Sequence, residues 1–346
     1  MKLKRVIAII ATFGVLIIVY NQLYIQPEII KNGRLVLSKN LIQHSDEVWD
    51  VEFSPDNKLL ASCGIDKMLK IWSVDETKVL RNIEHPDGIP TLSFNPNGKT
   101  ICTGSYDGKV RIWDVETGEL LNTLIGNNGI LWSVSYNPSG NVIAGAGTDK
   151  KVFMWNAING QLIKTLEGHE RDVWSLSFSP DGETLASSGS DGSVRIYDVN
   201  SGKTIKTITE HTDAVISVAY SPNGKLLASG GDDKVVNIWD TKNWKLVRAI
   251  TKENQSIYSV SFSPDNKTIL TAGRDKKALG EILQYRLNYK GSLKDVSARL
   301  WDVNSGKLLH TITEHQNDIW TICFSNDGNW VASSSVDKTV KLWKLQ

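Results

Sequence analysis

Residues 168–198 read GHERDVWSLSFSPDGETLASSGSDGSVRIYD, and the organisation of the whole chain follows from this stretch. It opens on Gly168-His169 and passes through two alternating runs separated by Ser179-Pro180-Asp181-Gly182. It then reaches the turn Asp191-Gly192 and closes on Tyr197-Asp198. Alternation of apolar and polar residues over such short runs is the period of a half-buried strand, and Gly or Asn between runs permits the positive φ of tight turns. The pattern predicts strands near 173–179, 184–189, 193–198 and 203–208, joined at Pro180-Asp181-Gly182, Asp191-Gly192 and Asn200-Ser201-Gly202.

The unit recurs seven times. Its closing aromatic stands at Trp72, Trp113, Trp155, Tyr197, Trp239, Trp301 and Trp343, at intervals of 41, 42, 42, 42, 62 and 42 residues. Six residues earlier is an Asp: Asp66, Asp107, Asp149, Asp191, Asp233 and Asp337. In the sixth unit, Asp275 is separated from Trp301 by 20 extra residues. A period of about 40–45 residues with four short strands per unit is the signature of propeller blades.

With Trp113-Asp114, Trp239-Asp240 and Trp301-Asp302 closing units, and Gly168-His169, Glu210-His211 and Glu314-His315 opening them, residues 34–346 closely resemble the WD40-repeat β-propellers. The resemblance implies an all-β fold, a seven-bladed propeller of four-stranded antiparallel blades. It also implies a buried tetrad in each blade. His stands 28 residues before the closing aromatic at His44, His85, His169, His211 and His315, and Ser or Thr four before the Asp at Ser62, Thr103, Ser187, Ser229, Thr271 and Ser333. A buried Asp needs donors, which imidazole, hydroxyl and backbone N–H supply, with the indole extending the network. The third unit carries Asn127 and Gly145 instead, and the sixth Glu253, so these blades are expected to be looser.

Leu342-Trp343-Lys344-Leu345-Gln346 lacks the outer strand that follows elsewhere, while Gly33 to Ile42 precedes His44 and has strand character. The amino-terminal strand is therefore expected to complete the seventh blade and close the ring.

Lys2, Lys4 and Arg5 precede a run without charge from Val6 through Pro27. As a helix, Val6 to Ile25 spans about 30 Å, the thickness of a bilayer's hydrocarbon core. Residues 1–25 are read as an N-terminal signal anchor and single transmembrane helix, and 26–33 as a linker. By the positive-inside rule the N-terminus is cytoplasmic and the propeller lies on the far side of the membrane. A cleaved signal peptide, leaving an exported soluble protein, remains the alternative, although the run ends in bulky residues rather than a small-residue cleavage site.

Residues 1–33 carry +3 (Lys2, Lys4, Arg5, Lys31 against Glu28), leaving −2 of the net +1 for the rest. Such a body has no field for polyanions, so no nucleic-acid partner is expected. Cys63, Cys102 and Cys323 show neither disulfide framework nor metal spacing. No metal, cofactor or small-molecule substrate is expected. The His–Asp pairs recur once per blade and do not converge, which argues against catalysis. A channel enzyme would need converging carboxylates, His or metal ligands, and none is apparent in the repeat register.

Function is expected on the surface, as a non-catalytic scaffold for a protein or peptide partner. Five residues after each His position, at the face that commonly carries contacts in the family, stand Trp49, Pro90, Trp132, Trp174, Ile216, Tyr258 and Trp320. Glu47, Asp172 and Asp318 come two residues earlier, and Tyr106 lies just before Asp107. Aromatics ringed by charge suit a binding hot spot; packing between blades at the channel mouth is the other reading. The arc Trp320, Trp49, Tyr106 is the leading candidate. The insertion 276–297 in the sixth repeat, with charges summing to +3 and helical spacing at Leu279, Ile282, Leu283 and Arg286, is expected on the same face. Two further possibilities are an enzyme with a channel site and a structural subunit of a larger membrane complex.

Overall fold

The computed structural model describes residues 11–12, 15–16, 35–251, 255–274 and 297–345. Seven four-stranded antiparallel sheets follow one another in chain order. The innermost strands are Val48–Phe53, Thr91–Phe94, Leu131–Tyr136, Val173–Phe178, Val215–Tyr220, Ser256–Phe262 and Ile319–Phe324. In the fourth blade the strands are Val173–Phe178, Thr184–Gly189, Val194–Asp198 and Thr204–Ile208, within a residue of the sequence expectation.

Ring closure is as expected. Leu35–Leu41 pairs antiparallel with Val340–Leu345, from Leu35 opposite Leu345 to Leu41 opposite Val340, and so forms the outer strand of blade 7. The two chain ends of the ring are thereby fastened by a full strand pairing and leave no gap between blades 7 and 1.

The core lies between blades. The middle strands of each blade are buried on both faces: in Leu60 to Cys63 and Leu69 to Trp72 the apolar members are at most 1% exposed, and Ser62 and Lys70 are buried among them. Each core cluster joins neighbouring sheets: Ala61, Ile71 and Ile83 of blade 1 pack with Leu92, Phe94 and Trp113 of blade 2. At about 25 cal/mol per Å² of apolar surface removed from water, these inter-blade layers are the main cohesion of the ring.

The expected transmembrane helix is not borne out by the described residues. Ala11–Thr12 and Val15–Leu16 form a short antiparallel pairing, with Ala11 opposite Leu16 and Thr12 opposite Val15. Thr12 and Val15 are β-branched and favour extended backbone where no lipid enforces a helix. No helix among the described residues is long and apolar enough to cross a membrane. The rest of the expected anchor 1–25, the linker 26–33, Glu253, Asp275 and the insertion up to 296 lie outside the described residues. Ser297 is buried, and its carbonyl accepts the Gln255 Nε2 at 2.6 Å.

Candidate functional site: the channel mouth and its wall

The His–Asp groups come first, because they look most like chemistry. In blade 1 the His44 ring bridges Asp66 (Nδ1, 2.8 Å) and Ser62 (Nε2, 2.8 Å), and Trp72 Nε1 donates to the same hydroxyl at 2.8 Å. Blade 5 repeats this with His211, Asp233 and Ser229 at 2.7 and 2.7 Å and Trp239 at 3.0 Å. In blade 4 His169 bridges Asp191 and Ser187, with Tyr197 buried in the indole's place. In blade 7 His315 bridges Asp337 and Ser333, but the Trp343 indole N–H has no acceptor. Burial alone would raise the pKa of Asp66 and Asp233. The histidine contact and backbone N–H donors outweigh it and hold both carboxyls below the ordinary range. These are internal braces.

Blade 2 departs from expectation. His85 keeps a 3.5 Å contact to Thr103, and Trp113 donates to Thr103 at 3.0 Å, but His85 Nδ1 has no partner. Asp107 turns instead to Arg111, at 3.1 and 2.6 Å. The residue after His85 explains the change. Ser45, Glu170, Thr212 and Gln316 each donate a backbone N–H to their brace Asp, whereas Pro86 has no N–H to give. Burial and the nearby Arg111 push the His85 imidazole down to about 3.

In blade 3, Asp149 keeps only the Asn128 N–H at 2.7 Å, and Trp155 Nε1 donates to the Ile125 carbonyl at 2.8 Å. A Cβ on Gly145 would lie 2.9 Å from the Trp155 ring, so the indole occupies the space that a serine would need. In blade 6, Trp301 donates to Thr271 at 2.9 Å.

The aromatics of the candidate face form one assembly. Trp174, Trp132, Trp49, Trp320 and Tyr258 stack in that order, with centroid separations of 4.9, 5.8, 4.3 and 4.9 Å and interplanar angles of 24° or less. Blade 2 contributes only Pro90 at this level, so the indoles of blades 3 and 1 meet across it. Tyr106 fills the corner edge-on, 6.1 Å from Trp49 and 5.8 Å from Trp132. The arc Trp320, Trp49, Tyr106 is therefore contiguous. These six residues are half-buried, so packing at the channel mouth and a partly open aromatic surface are both realised.

The acids differ among themselves. Glu47 accepts the Trp49 indole N–H at 3.1 Å and sets that ring. Asp318 is only 7% exposed and pairs with Arg274 at 3.2 Å, so it is not the open rim acid expected. Asp172 has no side-chain hydrogen bond among the described residues and flanks Trp174, whose Nε1 is fixed by Ser190 at 2.6 Å.

Below the aromatics lies a cavity of about 360 Å³, lined by residues from every innermost strand. Its wall carries two collars of small polar residues that link blades. The first is Thr91, Ser133, Ser175, Ser217, Ser259 and Thr321. Thr91, Ser133, Ser175, Ser217 and Ser259 each accept a backbone N–H from the next blade, as Leu176 to Ser133 at 3.1 Å and Ile322 to Ser259 at 3.1 Å. Blade 1 breaks the pattern with Asp50, which accepts the Leu92 N–H at 2.9 Å. Two residues on, where other blades carry Ser93, Ser135, Ser177, Ala219, Ser261 and Cys323, blade 1 carries Glu52, which accepts the Phe94 N–H at 2.8 Å.

This corrects the expectation that the register places no converging carboxylates in the channel. Burial, opposed by backbone and Thr hydrogen bonds, raises Asp50 to about 6; burial and the Asp50 charge raise Glu52 to about 8. Both keep some accessible surface, because the channel beside them admits water, yet they lie deep enough for desolvation to dominate. The signal was present in the sequence: reading each repeat position down the seven copies isolates Asp50 and Glu52 as the two acids among small hydroxyls. No group of three metal-ligating side chains occurs among the described residues.

Comparison with known proteins agrees with the geometry. The profile of the family "WD domain, G-beta repeat" matches at residues 35–73, 77–114, 118–156, 160–198, 202–240, 244–279 and 306–344. Among curated relatives, the chain is 45% identical over 56 residues to Protein tipD of Dictyostelium discoideum, covering 16% of this chain and 9% of that protein. It is 33% identical over 69 residues to Eukaryotic translation initiation factor 3 subunit I of Candida glabrata, 18% of this chain and 20% of that one. It is 40% identical over 45 residues to the Probable cytosolic iron-sulfur protein assembly protein Ciao1 of Anopheles gambiae, 13% of each chain. Each match spans a fifth or less of the relative's length.

Proposed function

This chain belongs to the WD domain, G-beta repeat family, and on that premise we propose that it is a non-catalytic scaffold that holds a protein or peptide partner on the aromatic face. The observation that carries this reading is the stacked column from Trp174 to Tyr258 across the channel mouth, with Tyr106 packed edge-on and Asp172 open beside it. Aromatics held rigid by one another lose little side-chain entropy on binding, and they concentrate interface energy. The relatives' names point the same way, since two of them describe parts of translation-initiation and iron-sulfur assembly machinery.

The test is photocrosslinking in cells from an unnatural residue at Asp172 or Tyr106, against one at Asn97 in an inner turn of blade 2 and one at Ile158 on the outer side. A discrete adduct from the first pair alone is expected. Adducts from Asn97 or Ile158 alone would move the interface off this face.

A second reading, a structural subunit bound through its flank, rests on a different observation. Leu120, Leu121, Ile125, Ile158, Leu162 and Ile163 are exposed on the outer strands and turns of blades 2 and 3, Ile158 at 82%. An adduct from Ile158 alone would favour it.

We further infer that residues 6–25 hold the propeller at a membrane, with the N-terminus cytoplasmic. Its support is the charge-free run behind Lys2, Lys4 and Arg5. Sequencing the N-terminus of the mature protein tests it: a start beyond residue 20 would make this a soluble exported protein.

A further inference from the structure

We propose that the channel cavity is a binding site for a small organic cation bearing a primary ammonium group, with Asp50 and Glu52 as its carboxylate receptors and the indoles of the mouth as its aromatic wall. The site shares the mouth indoles with the proposed partner face, but its carboxylates lie below them, and either reading can hold without the other.

Four observations converge. Asp50 and Glu52 stand on one side of the strand Val48–Phe53, alternating with buried Val51, so their stems are about 7 Å apart along the channel. The groups facing them are the hydroxyls of Thr91 and Thr321 and the thiols of Cys63, Cys102 and Cys323. None of these is a cation, and no Lys, Arg or His nitrogen lies within 4.0 Å of either carboxyl among the described residues. A buried carboxylate without a counter-charge is costly, and six sibling blades fill the same places with small, mostly hydroxyl, side chains. The collar itself therefore does not require these acids.

The cavity is also incomplete in its other polar groups. Trp132 and Trp320 line it, and both their indole N–H groups are buried without an acceptor. A volume of about 360 Å³ falls at the lower end of small-molecule pockets. A bare metal ion finds no third ligating side chain among the described residues. An ammonium group pairs with the carboxylates, and indole faces attract cations through the ring quadrupole. A hydroxyl or amine at the far end of such a ligand can serve an indole N–H.

Binding would draw protons off the acids. Affinity should therefore rise with pH across the window from about 6 to about 8 in which Asp50 and Glu52 ionise. The experiment is calorimetric and fluorescence titration of the full chain with 1,4-diaminobutane and 4-aminobutan-1-ol, with 1,4-butanediol as the neutral control. Expected are saturable quenching of tryptophan emission by both amines at millimolar concentration or below, no response to the diol, and weaker binding at pH 5.5 than at pH 8.5. Glu52→Ser and Asp50→Thr restore residues the other blades use, so the ring should fold; each is expected to weaken amine binding by about tenfold or more. Glu52→Gln, nearly the same shape, checks that charge rather than volume is responsible. The proposal is overturned if neither amine saturates, if the diol binds as well, or if folded Glu52→Ser binds amines like the parent chain.

Discussion

Asp66 and Glu52 sit in the same blade, fourteen residues apart in the sequence, and the protein treats their carboxyls in opposite ways. Asp66 is gripped by the His44 imidazole and by the N–H groups of Ser45 and Met68; against the penalty of burial these keep it ionised. Glu52 has the Phe94 N–H, a neighbouring acid and no cation, and burial pushes it up to about 8. Depth alone does not set the charge of a buried carboxyl; the donors around it do. A brace that repeats from blade to blade is thereby separated from a pair of acids that occurs once, and the single occurrence is the one that calls for a ligand.

The comparison can be broken most strongly from the brace side. His211→Ala removes the bridge between Asp233 and Ser229, leaving the carboxylate with only the Thr212 and Val235 N–H groups and the hydroxyl with only the Trp239 indole. A loss of about 3 kcal/mol is expected in urea unfolding at neutral pH. His85→Ala should cost only about 1 kcal/mol, because its Nδ1 is already unpartnered and Asp107 is held by Arg111. Equal losses at the two sites would mean that the imidazole contributes volume rather than bridging.

The pH dependence sharpens the contrast, and the signs are opposite. A carboxyl whose folded pKa is raised binds its proton more tightly when folded, so stability falls as pH climbs from the unfolded value, about 4, through the folded one. Glu52 should therefore weaken the fold progressively up to about 8. Asp66 and Asp233, held low, contribute stability above about 4 that is lost as acid protonates them. Glu52→Ser should raise the melting temperature by several degrees at pH 9 and by progressively less toward pH 5. A uniform shift at all pH values would show that Glu52 does not titrate as its surroundings imply.

Much of this was legible before any coordinates. The 42-residue spacing gave the blades, the strand-like run before His44 gave the closing strand, and four of the five histidines make the braces expected of them. His85 departs from the expected brace for a reason visible in the next residue, since Pro86 cannot supply the N–H that completes the other braces. Asp50 and Glu52 escape the repeat pattern for a different reason. A repeat makes visible what recurs, and these acids matter because they do not. The mutual stacking of Trp49, Trp132 and Trp320 was hidden because it depends on how closely the inner strands converge, a property of ring size that no local pattern encodes. Asp318 reads as open rim in the sequence because its partner, Arg274, comes from the neighbouring blade.

The smallest expected effect concerns the residue after the brace carboxylate. Lys67, Lys150, Lys234 and Lys338 all occupy this turn position with φ between 64° and 69°, where blades 2 and 4 use Gly108 and Gly192. Lysine there bears a backbone cost that glycine would not. In blades 1 and 7 it is offset by a latch to the next blade: Lys67 Nζ donates to the Pro86 carbonyl at 3.1 Å and Lys338 Nζ to that of Ser45 at 2.9 Å. Lys150 makes no such bond among the described residues. Lys150→Gly should thus be neutral or slightly stabilising, whereas Lys67→Gly should be less stable than Lys150→Gly by about 0.5 kcal/mol in parallel urea titrations. Because the latch ends on a carbonyl rather than only on the exposed Asp87, 3.8 Å away, much of that difference should survive added salt. Identical behaviour of the two variants would reduce the latch to a surface contact and leave the brace and the inter-blade core as what holds the first two blades in register.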